Sequence, residues 1–484
     1  MIPAIIIIIL IIVFCIFLNI LIIYHIVTSK RNHIAEALWI FTVVIFPVAG
    51  ALFYLAFGMT LLKRKIKKYK NSAKLINQIL VSQMTEKQLK TANSLLSVYK
   101  KIVKSNALLD SLEQYPPSFG NDIKFLLAGN EAYPEMLESI YSAKDFICMQ
   151  SYIYAGDEIG TEFKEALKSK AKSGVEVRIL YDPIGSIKTP SRFWTDLKKS
   201  GAKVSSFGGI NILKRNLKLN FRNHRKNLII DGKTAYSGGL NIHNENYKKY
   251  CGSKHCFVHD YHFKIKGPSL SDFQSVFSTD WLFATNEVLN DIKYYPFNES
   301  AGNSIIRVID SSPIANYKAF SMTLFGAIMR AEKKADIISP YFYPEPEIIS
   351  ALKYAGLSGV EVNIIIPKHN EHKIVEYASK SLYNELLQSN INIYERELPF
   401  IHSKSIVIDG EWAILGSGNM DYLSLRSNYE LCFEVIGVDI INKLKDMFEF
   451  EKKNSENVSP KSAADNSRLI NFRNNFCALF APML

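Results

Sequence analysis

The chain has 484 residues, 58 of them Lys or Arg and 46 Asp or Glu, for a formal net charge of +12, and that length holds two or three domains. Nearly all of the excess lies between Lys63 and Lys104, where twelve basic residues face the single Glu86. The remainder is close to neutral, which argues against a nucleic-acid partner and for attraction of this one segment to anionic lipid headgroups. Six cysteines without disulfide-like spacing exclude a disulfide-built secreted fold and suit a reducing compartment.

Residues 1–29 and 37–62 contain no Asp, Glu, Lys or Arg. Each stretch exceeds the roughly 20 residues a helix needs to cross the hydrocarbon core. The first has no basic leader and no small-residue cleavage site, so it is not a signal peptide. Residues 1–62 are therefore expected to form a two-helix transmembrane hairpin. Its short loop, with Lys30, Arg31 and Glu36, is far less basic than the segment after residue 62. The imbalance puts both chain ends on the cytoplasmic side. Residues 63–112 are expected to form a basic helical tether with an amphipathic face on or near the membrane surface. The breakers in Tyr115-Pro-Pro-Ser-Phe-Gly120 end it.

Beyond this boundary strands and helices alternate, the pattern of an α/β fold. IKFLLAG reads as a strand, Tyr133–Ala143 as a helix, FICMQSYIY as a strand, GTEFKEALKSKAKSG as a helix with a glycine stop, and VEVRILYD as a buried strand. The order recurs. KADIISPYFY corresponds to AKDFICMQSYIY, and SGVEV occurs at Ser173 and again at Ser358. A repeat of this length is a domain. Two homologous lobes with mixed sheets flanked by helices are expected, at 113–290 and 291–484, forming one pseudo-twofold unit. Residues 284–303 read as a connection and NSENVSPKSAADNS as a polar loop.

The strongest repeat carries polar residues. HRKNLIIDGKTAYSGGLNI begins at His224 and HSKSIVIDGEWAILGSGNM at His402, and the two align without a gap. They share His224/His402, Lys226/Lys404, Asp231/Asp409 and Asn241/Asn419. Duplication that kept only a core would preserve the apolar positions rather than these four. On a strand, His and Lys two apart point the same way, while Asp falls on the opposite parity at an Asp-Gly hairpin turn. Two imidazoles, two ammonium groups and two amides meeting at a lobe interface suit a phosphodiester. One histidine attacks phosphorus and the other protonates the leaving oxygen, so that a covalent phosphohistidine divides the displacement into two steps. No metal or other cofactor is expected: there is no carboxylate cluster for Mg²⁺ and no phosphate-binding glycine loop. Cys251, His255, Cys256, His259 and His262 crowd into twelve residues, but their spacings match no common zinc site.

The doubled H-x-K-x4-D resembles the phospholipase D superfamily, and nearly the whole chain is similar to bacterial cardiolipin synthases. The similarity includes a two-helix membrane segment ending PVAGALFYLAFG and the Gly185-Ser186 that follows Tyr181-Asp182. It continues through Gly238–Ile242, Asp260–Pro268, Asp280-Trp281, Tyr341–Pro344, Asn428–Glu430 and a closing APML. The resemblance implies that His224 is the nucleophile and His402 the acid and later base. Lys226, Lys404, Asn241 and Asn419 would bind phosphate oxygens, and Asp231 and Asp409, the third members of each catalytic motif, would be structural. Asp260 and Glu430 would orient the imidazoles. The chain departs from the family at Leu423, where Arg is usual, and near Phe257, where a Trp is usual. The implied activity is transfer of a phosphatidyl group between two phosphatidylglycerol molecules at a bacterial cytoplasmic membrane, giving cardiolipin and glycerol. The implied partners are phosphatidylglycerol and other anionic lipids. Phospholipid hydrolysis is the alternative, and a membrane-tethered nuclease the third reading.

Overall fold

The structure is a computed structural model that describes residues 2–28, 33–55, 63–83, 111–112, 115–208, 222–313, 318–460 and 467–481. Residues 56–62 and 84–110 of the apolar and basic segments, 461–466 of the polar loop, and the closing residues 482–484 lie outside them.

The chain divides into two units, Met1–Lys67 with Ile210–Leu219, and Lys68–Gly209 with Asn220–Leu484. In the first unit Ile2–Thr28 is one helix of 27 residues. The second apolar stretch is two helices, His33–Ile45 and Pro47–Phe53, rather than the single one expected. Pro47 has no N–H to continue the ladder and pushes Phe46 out of the helical region, to φ −120° and ψ 74°. Ile22, Ile26, Val43, Ala51 and Tyr54 pack together, and His25 Nδ1 lies 2.7 Å from the Tyr54 hydroxyl. Most other described side chains here are apolar and exposed, including Phe14, Phe17, Ile20, Phe41, Val44 and Leu52. Among the described residues no helix is long and apolar enough to cross a membrane.

The second unit is built on one mixed sheet of 15 strands. The first half contributes β1 (Ser118–Leu127), β2 (Phe146–Ser151), β3 (Glu176–Tyr181), β4 (Lys203–Ser206), β5 (Asn227–Ile230), β6 (Thr234–Gly238), the two-residue β7 (Val258–His259) and β8 (Tyr261–Lys266). The second contributes β9 (Ser304–Ser311), β10 (Lys334–Ile338), β11 (Phe342–Tyr343), β12 (Glu361–Pro367), β13 (Ile391–Arg396), β14 (Phe400–Ile401), β15 (Ser405–Ile408), β16 (Trp412–Gly416), β17 (Met420–Asp421), β18 (Glu430–Ile436) and β19 (Ser455–Asn457). Read outward from the antiparallel β1–β9 pair, one side runs β8-β6-β5-β2-β3-β4 and the other β18-β16-β15-β10-β12-β13. The repeat seen in sequence is thus a pseudo-twofold within one sheet. β19 extends the second side by pairing antiparallel with β13, where sequence suggested only loop.

Alternation along the buried strands feeds two layers. Ile147, Met149, Val177 and Ile179 join the helices Ala128–Ser142 and Glu158–Lys172 in one core. Cys148 and Gln150 face the opposite way, toward the nearly wholly buried helix Leu270–Thr285. The second half repeats this, with Ile337, Ile364, Ile406 and Ile408 in its core.

The helix Lys63–Gln83 does not leave its apolar face open. Tyr69, Ser72 and Ile76, spaced to share one face, are all buried, and Tyr69 packs on Phe283 and Tyr429.

The two Asp-Gly turns are alike. Asp231 and Gly232 have φ 51° and 62°, Asp409 and Gly410 φ 52° and 66°, the backbone of a type I′ hairpin turn. Asp231 accepts from Lys144 N, Asp145 N and Phe146 N at 2.8 Å each; Asp409 accepts from Glu332 N, Lys333 N and Lys334 N at 2.7–3.2 Å. Each carboxylate ties its turn to the start of the neighbouring strand. Asp231→Ala should therefore lower stability by about 1–3 kcal/mol, read as a lower unfolding midpoint. Activity per folded molecule should be largely kept.

Candidate active site

His224 and Lys226 lie on the extended segment that leads into β5, where successive side chains alternate. Those two face one way. Asn223 and Arg225 face the other, and both donate to Asp280 Oδ2, at 2.9 and 2.7 Å. The second copy places His402 and Lys404 in the same manner ahead of β15. His224 N donates to Tyr429 O (2.9 Å) and His402 N to His259 O (2.7 Å), so each histidine is also fixed by main chain from the opposite half.

The carboxylates cross as well. His224 Nδ1 is 3.0 Å from Glu430 Oε2, and His402 Nδ1 is 2.6 Å from Asp260 Oδ2. In the sheet Gly238 stands opposite His262 and Gly416 opposite Cys432. Asp260 and Glu430 are therefore counterparts in the repeat, and each half lends its carboxylate to the other half's imidazole. With Nδ1 donating to a carboxylate, Nε2 is the nitrogen left for chemistry.

Lys226 Nζ donates to His224 O at 2.7 Å and lies 5.2 Å from the centre of the Tyr152 ring. Lys404 Nζ is 2.8 Å from His402 Nδ1. All four groups are buried. Burial lowers Lys404 to about 8, and burial joined by the neighbouring ammonium groups lowers Lys226 to about 7 and His402 to about 4, and lowers His224. His224 feels the charge of Lys404, and His402 that of Lys226, so the two motifs lie within electrostatic reach of each other. Despite burial, Asp260 and Glu430 are held below the usual carboxylate range by the lysine and histidine they face. A bound phosphate monoanion would favour the charged form of every cation here.

Asn241 Oδ1 accepts from Ile153 N at 3.2 Å. Asn419 is buried, and its Oδ1 has no hydrogen-bond partner among the described residues. Asp231 and Asp409 are not in the pocket: each sits at the far end of its strand, about 20 Å along the chain from the histidine at about 3.3 Å per residue.

Ser417 and Tyr152 escaped the sequence reading, which had Tyr341, Gly185 and Ser186 only as family-like positions without a place in the site. Ser417 Oγ donates to Glu430 Oε2 at 2.6 Å. Its counterpart is Gly239, where a Cβ would fall 2.1 Å from Asp260 Oδ1; aligning the repeats puts the two opposite each other, so that signal was present. The Tyr152 ring lies 4.8 Å from His224, and the Tyr341 ring 6.0 Å from His402. Gly185 is needed because a Cβ there would meet Tyr152 O at 2.3 Å, while Ser186 Oγ accepts from Tyr154 N. Of the crowded Cys/His stretch, Cys251 and Cys256 form a disulfide, correcting the expectation of free thiols. His259 Nδ1 is 2.9 Å from Glu451, and His262 is buried beneath Gly238.

The family model described as cardiolipin synthase, PLD-like domain matches residues 136–281 and 324–451. The chain belongs to this family. A second model, for the phospholipase D-nuclease N-terminal region, matches residues 17–58. The chain is 32% identical to a cardiolipin synthase of Alkalihalophilus pseudofirmus, over 91% of this chain and 88% of that one. It is 31% identical to the major cardiolipin synthase of Bacillus subtilis, over 96% and 97%. Among solved structures, phosphatidylserine synthase of Haemophilus influenzae shares the fold, with a TM-score of 0.59 and 15% identity, covering 79% of this chain and all of that one.

Two outcomes follow for this family member. Both lysines must be charged to hold an anionic phosphate, and they lose their protons as pH rises through about 7 to 8. The kcat/KM profile, which reports free-enzyme groups, should therefore fall as pH rises through about 7 to 8. Gly239→Ala should displace the Asp260 carboxylate from His402 and cost about 10–100-fold in activity, with lipid binding retained in a vesicle co-sedimentation assay.

Proposed function

We propose that this protein converts two molecules of phosphatidylglycerol into cardiolipin and glycerol through a phosphohistidine. The observation that carries the reading is the pair of buried imidazoles, each with Nδ1 on a carboxylate from the other half and each within electrostatic reach of both ammonium groups. In the first step His224 Nε2 attacks phosphorus, forming an N–P bond as the bond from phosphorus to the glycerol oxygen breaks. His402 gives that oxygen a proton. In the second, His402 takes the proton from a headgroup hydroxyl of another phosphatidylglycerol, whose oxygen forms the new P–O bond as N–P breaks. Lys226, Lys404, Asn241 and Asn419 hold the non-bridging oxygens, strongest where charge builds up in the transition state. At about 4, His402 is unprotonated in the free site at neutral pH, so the substrate's phosphate supplies the negative charge that lets it act as acid. One phosphodiester replaces another, and no energy donor is needed.

Residues 1–62 act as a membrane hairpin in this reading, with the catalytic unit on the cytoplasmic face of a bacterial membrane. The support is the uncharged 27-residue helix Ile2–Thr28, the exposed apolar side chains of the first unit, and the basic residues that follow. Phosphatidylglycerol in that leaflet is both substrate and neighbour.

Purified protein in phosphatidylglycerol vesicles should release one glycerol per cardiolipin formed. His224→Ala and His402→Ala should each cost at least about 10³-fold in kcat. In a His402→Ala protein given donor lipid labelled in its phosphatidyl group, the label should accumulate on His224. Phosphatidic acid as the dominant product would replace transfer by hydrolysis, and label on the second-half histidine of a His224→Ala protein would reverse the two roles.

A further inference from the structure

We propose that Tyr69, carried by the helix that follows the apolar hairpin in sequence, is a positioning residue for the transfer reaction, acting through Arg225 and Glu430 on His224. The inference rests on the nucleophilic role given to His224 and concerns how that residue is held.

Arg225 separates His224 from Lys226 and is fully buried on the opposite side of the same segment. A guanidinium has five N–H groups, and each of them has an acceptor here. Nε donates to Glu430 O (3.2 Å), and one terminal nitrogen donates to Asp280 Oδ2 (2.7 Å) and the Tyr69 hydroxyl (3.2 Å). The other donates to Asp310 and to Ser311 O (3.0 Å). Glu430 is the residue whose carboxylate holds His224 Nδ1. One rigid fork thus fixes both the residue next to the nucleophile and the main chain of the residue that orients its ring.

Tyr69 completes that fork from outside the two repeats. Its hydroxyl accepts from Arg225 and donates to Asp280 Oδ1 at 3.1 Å. Its ring is wholly buried against Phe283 and Tyr429, and its neighbour Lys68 donates to Phe283 O at 2.5 Å. Without the hydroxyl, one N–H of a buried cation loses its acceptor, and Asp280 loses a donor in the same place. A charged cluster in low dielectric responds by shifting. Here the shift is transmitted to Glu430 and the His224 ring, where a displacement of about 1 Å is worth about 100-fold in rate. The arrangement belongs to the first half alone: the counterpart of Arg225 is Ser403, whose hydroxyl is buried without a partner among the described residues. The second half folds with Ser403 in this place, so the duplicated fold does not itself require the guanidinium that Tyr69 completes.

The test uses the full chain in phosphatidylglycerol vesicles. Tyr69→Phe keeps the ring and removes only the hydroxyl. We expect kcat to fall about 10-fold with KM unchanged, the unfolding midpoint within about 4 °C of wild type, and slower appearance of label on the enzyme in a single turnover. Ser72→Ala, on the same buried face but bonded only to Lys68 O of its own helix, should match wild type. Tyr69→Phe with wild-type kcat overturns the inference. So does a loss that tracks only the fraction of protein still folded, since a merely structural residue behaves that way. A wild-type protein that releases no glycerol would instead overturn the underlying reading.

Discussion

Everything in the catalytic unit depends on an exchange of carboxylates: Glu430 of the second half holds His224, and Asp260 of the first holds His402. Removing the imidazole from either carboxylate leaves a buried charge short of a hydrogen bond, at a cost of about 1–3 kcal/mol or more. Each half supplies one lysine, one imidazole and one carboxylate, so what a half alone would lack is not charge balance but partners: its imidazole would have no acceptor, and its carboxylate would have no imidazole to hold. The single continuous sheet, with β1 and β9 hydrogen-bonded at its centre, holds the two halves at the separation this exchange requires. A duplicated fold with two independent sites would need no such seam.

Much of this was legible in the sequence because it occurs twice. The two copies of His, Lys and Asn at equal spacing exposed the pocket residues, and strand parity placed Asp231 and Asp409 away from them, at turns whose left-handed backbone Asp and Gly tolerate. What periodicity cannot say is which surface covers an apolar face. The Lys63–Gln83 helix reads as amphipathic either way, yet Tyr69, Ser72 and Ile76 are buried against protein. The crossing of Asp260 and Glu430 is likewise a tertiary fact, invisible in a linear pattern that shows only one acid per repeat. β19 was hidden for a different reason: its residues Ser455–Asn457 are polar because they lie on a sheet edge, paired on one side only. The break at Pro47 and the opposition of Gly239 to Ser417 were readable, and went unread.

The near-symmetry of the site suits a reaction whose two steps mirror each other. In the proposed exchange the departing alcohol and the arriving one are both glycerol hydroxyls, so the second step retraces the first with a different substituent on the same oxygen. Microscopic reversibility then asks one imidazole to give up a proton and recover it from the same place, in a field that hardly changes between the steps. A pocket with equal numbers of ammonium and carboxylate groups on either side of phosphorus provides that field. Yet the two imidazoles must do different work, one bonding to phosphorus and the other moving a proton, and the departures from symmetry fall where that difference needs them. Behind His224 stands a fully satisfied guanidinium; behind His402 stands the small hydroxyl of Ser403. Glu430 is pinned by Ser417, while Asp260 is accommodated by the missing side chain of Gly239. A nucleophile needs its nitrogen held at one angle to phosphorus, whereas a proton carrier must follow a hydrogen between two oxygens. In the proposed exchange the more rigid support belongs to His224, the residue given the covalent bond.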